Sequence, residues 1–128
     1  MKNDTMHFTS GISDAVNAQA AVEAACRQVK EQLAGAPCHL ACVFASPIYR
    51  TAWPPLLAYL QEQLTPQVLI GCSGSGVIGG GQELEWVPAI SIVGATLPGV
   101  KLFPFAVTPD ELNLSESGGF WVDKIGAA

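Results

Sequence analysis

The residue types best suited to chemistry fall in one run, Gly71-Cys72-Ser73-Gly74-Ser75-Gly76-Val77-Ile78-Gly79-Gly80-Gly81-Gln82-Glu83. Six of the thirteen glycines lie in the eleven residues from Gly71 to Gly81. Glycine lets the backbone take positive φ and lets another group come close. A loop of this kind after an apolar strand sits where open α/β sheets bind ligands. Its N–H groups can hold an anion. Gly74, Gly76 and Gly79 match Gly-x-Gly-x-x-Gly, but a dinucleotide fingerprint must lead into a helix and be followed by an acid at a set distance. Here Gly80, Gly81 and then Pro88 follow within a strand-like run. No Lys follows the glycines, so a Walker-type phosphate loop is excluded. Two readings remain, a structural turn or bulge between strands and a loop that lines a small-ligand pocket.

Other residues extend the second reading. From Gln32 to Gln82 the only formal charges are Arg50 and Glu62. A guanidinium in an apolar stretch can clamp a carboxylate bidentately; the alternative is a surface Arg on a loop. Ser46 and Tyr49 flank the end of the same apolar run and can line one crevice with the glycine loop. Glu83 and Glu85 share a strand face, which is either a solvated edge or, through Glu83, a partner for a ligand amine. Cys72 precedes a glycine turn as a nucleophile elbow would, but the motif Gly-x-Ser-x-Gly leading into a helix is absent. Acyl transfer by a Cys72 thiolate is therefore a third-ranked reading, with His7 and His39 the available bases. Cys26, Cys38, Cys42 and Cys72 contain no Cys-x-x-Cys pair. On a strand, Cys38 and Cys42 would share a face and His39 would point away, which disfavours zinc.

These residues need elements to position them. Thr5 to Ser10 alternates, with Met6 and Phe8 on one face, and predicts a first strand. Ser13 and Asp14 offer a helix start, after which Ala15, Ala18, Val22, Ala25, Val29 and Leu33 recur at helical spacing until Gly35 and Pro37. His39 to Ala45 reads as a central strand. Pro54 and Pro55 can open a helix carrying Leu56, Leu57, Leu60 and Leu64. Val68 to Cys72 is a third strand. Leu84 to Leu97 is strand-like, with Ile90 and Ile92 opposite Ser91 and Val93. Pro98-Gly99 predicts a tight turn, and Val100 to Val107 a second strand interrupted by Pro104. The fold expected is α/β: a βαβαβ parallel unit extended by an antiparallel hairpin into a mixed sheet. Thr108 to Glu111 has helix-start chemistry, Ser115 to Gly119 reads as loop, and Phe120 to Ile125 as a short apolar patch.

The chain has 128 residues, sized for a single domain over 1–128, with a core at 5–107 and a tail at 108–128. Charged residues are 13% and hydrophobic residues 49%. So few charges point to a fragment of a larger protein or to a face hidden in a homo-oligomer. Disordered segments are polar and highly charged, so disorder is excluded. The net charge is −5 and the six basic residues are scattered, which argues against nucleic acid and anionic membrane surfaces as partners. Met1 to Ser13 lacks an apolar signal-peptide core, and no window can serve as a membrane helix. The expectation is a cytoplasmic protein with reduced thiols and no cofactor.

Two stretches carry a resemblance. They are Val43-Phe44-Ala45-Ser46-Pro47-x-Tyr49 and Gly71-Cys72-Ser73-x-x-Gly76-Val77-Ile78-Gly79-Gly80-Gly81-x-Glu83-x-Glu85. With the helix before them and Pro88-Ala89-Ile90-Ser91 after them, they resemble the N-terminal part of a FIST domain, the sensory domain of F-box and intracellular signal-transduction proteins. The likeness runs from about Thr5 to Val107. It implies a module that binds small ligands, amino acids among them, and signals to a C-terminal FIST half or an output domain. The expected pocket joins Ser46, Tyr49 and Arg50 to Cys72, Ser73, Gly74, Ser75, Gly76, Gly79 and Gly80, with Glu83 beside it. The alternatives are a protein-interaction or dimerisation module and, below it, the thiol enzyme using Cys72.

Overall fold

The computed structural model describes residues 5–113 and 118–126. Helix α1 (Ala18–Leu33) forms where the helical spacing predicts, but it starts later. Asn17, not Ser13, is the cap; its side-chain oxygen accepts from the Ala20 N–H at 2.9 Å. Ser13 is taken up instead by strand β1 (His7–Ser13), where it pairs with Ile90. Ala34 ends the helix in the left-handed region, donating its N–H to the Lys30 carbonyl. The small residues of α1 let it lie close on β1. A Cβ at Gly11 would stand 2.1 Å from the Ala25 carbonyl oxygen, so only glycine fits there.

That close approach decides which face of the strand is buried. Thr9 and Gly11 face the helix and are buried, so the period-two strand turns Phe8 outward, where it is 65% exposed. Met6 is exposed as well.

Strand β2 (Leu40–Ala45) pairs in parallel with β3 (Val68–Ser73). A 3-10 turn (Pro47–Ala52) leads into α2 (Trp53–Leu64), which opens on Pro54 and Pro55 and buries Leu56, Leu60 and Leu64. β6 (Ile90–Thr96) enters between β1 and β2, antiparallel to both, and the sheet order is β1-β6-β2-β3. The fold is therefore α/β with a mixed sheet. β1 and β2 run the same way but are not neighbours, because the most continuously buried strand takes the centre. On the helix side, Ile92 pairs with Val43 and Gly11, and Val43 pairs with Gly71. With α1 and α2 these residues make the core.

The expected edge hairpin is corrected in two places. The turn forms, with Gly99 at φ 75° and the Val100 N–H donating to the Leu97 carbonyl, but Val100 to Val107 is not a strand. Pro104 removes a ladder donor from a segment that has no partner beside it. The antiparallel hairpin lies instead inside the glycine run, as β4 (Gly76–Gly79) and β5 (Gln82–Glu85). Gly80 and Gly81, at φ 54° and 79°, form its two-residue turn. Positive φ at both central positions is what a type I′ hairpin turn requires.

In the tail, Thr108 caps the single-turn helix α3 (Pro109–Leu112) by accepting from the Glu111 N–H. Of the expected Ser115 to Gly119 loop, residues 115–117 lie outside the described residues. Gly118 and Gly119 open α4 (Gly118–Ile125), which absorbs the Phe120 to Ile125 patch. No helix among the described residues is long and apolar enough to cross a membrane.

Candidate functional site

The structure divides the expected site residues into three groups. Ser46 and Tyr49 hold the fold together. The Ser46 hydroxyl bonds the Val87 carbonyl at 2.9 Å and the Ala89 N–H at 2.9 Å, stapling the end of β2 to the entry of β6. Tyr49 is buried and its hydroxyl donates to the Ala15 carbonyl. Burial, with Asp14 nearby, pushes its phenol above the ordinary value. Arg50 is exposed in the last turn of the 3-10 helix and lines neither of the two cavities described below.

The second group borders a cavity of about 570 Å³ beside the carboxyl end of β3. Cys72 and Ser73 line it, together with Val43, Trp53, Leu57, Leu69 and Phe105. β3 is an edge strand. Its Val68 and Gly74 N–H groups donate to β2, to the His39 and Ala45 carbonyls. Strand alternation then turns the backbone groups of Leu69, Gly71 and Ser73 toward the open edge, where the cavity lies. The cavity thus pairs apolar walls with a row of backbone groups that have no partner among the described residues, and no charged side chain among the described residues lines it. Gly71 itself is a packing residue: a Cβ there would stand 1.9 Å from the Val43 carbonyl oxygen.

The third group belongs to the hairpin and the smaller cleft at its base. Ser75 lines this cleft of about 290 Å³ with Ser46, Ile48, Trp86 and Val87. The Gly74 N–H donates to the Ala45 carbonyl, and the Gly80 N–H to the Ser10 hydroxyl at 3.1 Å. Gly76 and Gly79 are strand residues, Gly79 buried against β1 and β6. Cross-strand register puts Ile78, Glu83 and Glu85 on one outward face. The glycine run is thus both a structural turn and the border of two clefts, and Arg50, Tyr49 and Glu83 do not converge on either cavity.

The residues that sequence reasoning missed are aromatic. Trp53 immediately precedes Pro54-Pro55, so it sits at the start of α2, the end of the layer where β3 finishes. That placement was a readable signal. Phe105 was hidden in a segment read as a strand, and nothing local to Trp86 announced that it would stand 84% exposed.

Neither of the two expected bases accompanies Cys72. His39 precedes β2 and its Nδ1 accepts the Leu97 N–H at 2.6 Å, while His7 bonds the Gln32 carbonyl. Both lie at the far end of the sheet, five residues along the strands from the level of Cys72, or about 16 Å. All four thiols are free. Burial pushes those of Cys26, Cys38 and Cys42 up. No group of three or more metal-binding side chains occurs among the described residues.

Against known proteins, the model of the FIST N domain matches residues 39–117. The chain is 33% identical over 98 residues to two uncharacterized proteins of Mycobacterium tuberculosis, MT0656 of strain CDC 1551 and Rv0628c of strain H37Rv. The match covers 77% of this chain and 26% of each relative. No solved structure matches the chain. The family model spans more than half of the sequence, including β2, β3, the glycine hairpin and β6, and on that ground the chain belongs to the FIST family.

Proposed function

We propose that the chain is a small-ligand-binding part of a cytoplasmic sensory protein, with the ligand in the cavity beside the carboxyl end of β3. The single observation that carries this reading is the pairing of that 570 Å³ apolar space with the open backbone edge of β3. The volume falls in the range of ligand pockets, and the mixture of apolar walls with a few fixed polar groups suits specific small-molecule binding. A ligand with an apolar body and a hydrogen-bonding end, such as an amino acid, would place the first against Trp53, Leu57 and Phe105. The second would meet the Gly71 and Ser73 backbone, with the Cys72 thiol and Ser73 hydroxyl beside it. Free thiols throughout fit a reducing compartment. The chain spans about a quarter of the length of its curated relatives, so transmission to a C-terminal FIST half or an output domain belongs to this proposal too.

The test is a thermal-shift screen against the common amino acids, with nucleotides as controls. A ligand at ~100 times its dissociation constant adds ~2.7 kcal/mol, a shift of several degrees. Leu57→Ala, which enlarges the cavity wall, should reduce the shift selectively. If no amino acid moves the midpoint, or if Leu57→Ala leaves a ligand's shift intact, the reading is overturned.

A further inference from the structure

We propose that the β4–β5 hairpin, with the cleft at its base, docks the Val100–Phe105 segment of a second copy of this chain. The hairpin presents an unusual surface. Trp86 is 84% exposed and Ile78 72% exposed. Glu83 and Glu85 stand on the same outward face as Ile78, and neither has an ion-pair partner among the described residues. The cleft beneath Trp86 is walled by Ile48, Val87 and Pro88 and is large enough for one ring. The occupant would be an extended segment joining an aromatic side chain to a cation.

This chain carries such a segment. Val100 to Val107 pairs with nothing in the sheet. Lys101 is exposed, and its ammonium lies 5.0 Å over the ring of Phe103, itself 54% exposed. Cation and aromatic are therefore displayed together, opposite in character to the hairpin's carboxylates and matched to its Trp-lined cleft. Phe103 would enter the cleft against Trp86, and Lys101 would meet Glu83 and Glu85. Each copy holds both halves, so a two-fold dimer would make the contact twice. A two-stranded hairpin is also marginal alone, and an extended segment along the open edge of β5 adds a third strand. A net charge of −5 on each copy opposes indiscriminate association, which leaves specific pairing as the route to a dimer.

Trp86 supplies an independent clue. Its φ is +60°, a left-handed conformation that is costly for a bulky side chain. Glycine there would relieve the fold, so the indole is retained at a cost that a contact would repay.

Sedimentation equilibrium from micromolar to millimolar concentration tests the proposal. The wild-type chain should form a dimer. Lys101→Glu, and separately the pair Glu83→Lys with Glu85→Lys, should each weaken it about tenfold or more, because each sets like charges face to face. An equimolar mixture of these two variants should recover association, since opposite charges meet at both contacts of the mixed dimer. Trp86→Gly should raise the unfolding midpoint and abolish the dimer, which separates lost contact from lost fold. A monomer at all concentrations overturns the proposal. So does a dimer indifferent to the charge reversals, or a variant mixture that stays as weak as its components; either would locate self-association on another surface.

Discussion

The two faces of the four-stranded sheet are built by different rules. On the helix side, Gly11, Ile92, Val43 and Gly71 form one row across four strands, and α1 and α2 close over it. The other side carries Phe8, Val93, Phe44 and Ile70 on the same four strands, with no charged residue at any outward strand position. The glycine hairpin approaches it, through Ser91, whose hydroxyl bonds the Ile78 carbonyl, and through Ser10, whose hydroxyl accepts from the Gly80 N–H. Phe44 is 38% and Ile70 46% exposed. Parallel strand pairs are normally covered on both faces. The comparison teaches that one face holds this chain together and the other is apolar without contributing in proportion.

Thiol reactivity should break the comparison open most widely. Cys26 and Cys38 are buried, whereas Cys72 is exposed. An alkylating reagent on the native protein should modify Cys72 at least ~10³ times faster than Cys26, since buried groups react only through unfolding that costs ~5 kcal/mol or more. Mass spectrometry of digests reads the order directly. Comparable rates would mean that the helix-side core opens readily.

The same thiols set a pH dependence. Burial holds the Cys26 and Cys38 thiols and the Tyr49 phenol above their ordinary values. The unfolded chain then loses these protons first as pH rises. Their stabilising contribution is whole below the ordinary thiol value of ~8.5 and declines above it. Urea unfolding between neutral pH and alkaline conditions should show a falling midpoint.

Substitutions sharpen the contrast at smaller scale. Leu60, fully buried on α2, should cost ~3 kcal/mol when truncated to Ala, through lost transfer energy and a residual cavity. Phe44→Ser on the opposite face should change the stability of the isolated chain by only ~0.5 kcal/mol. Denaturant unfolding measures both. A cost at Phe44 approaching that at Leu60 would mean that the outer face is covered in solution.

Much of the scaffold was legible from local pattern. The 3.6-residue spacing of Val22, Ala25, Val29 and Leu33 marked α1, and the alternation of Ile90 and Ile92 with Ser91 and Val93 marked β6. Gly80-Gly81 already carried the chemistry of a hairpin turn, although the flanking strands, only four residues each, were too short to declare themselves. The candidate site was half legible. Cys72 and Ser73 do border the cavity beside β3, but Tyr49 and Ser46 are tied to backbone groups of residues far away in sequence.

What the sequence determined by itself is the two long helices, the strands of the main sheet, the family, the scarcity of charge and the turn chemistry inside the glycine run. Each rests on neighbouring residues, where periodicity and φ preferences act. The tertiary structure alone decided that β6 separates β1 from β2, that Phe8 faces outward, and that Trp86 and Phe103 stand exposed. These depend on which surfaces approach most closely. The contact between Gly11 and the Ala25 carbonyl brings together residues on different elements, and no local pattern encodes which strand face a helix will choose.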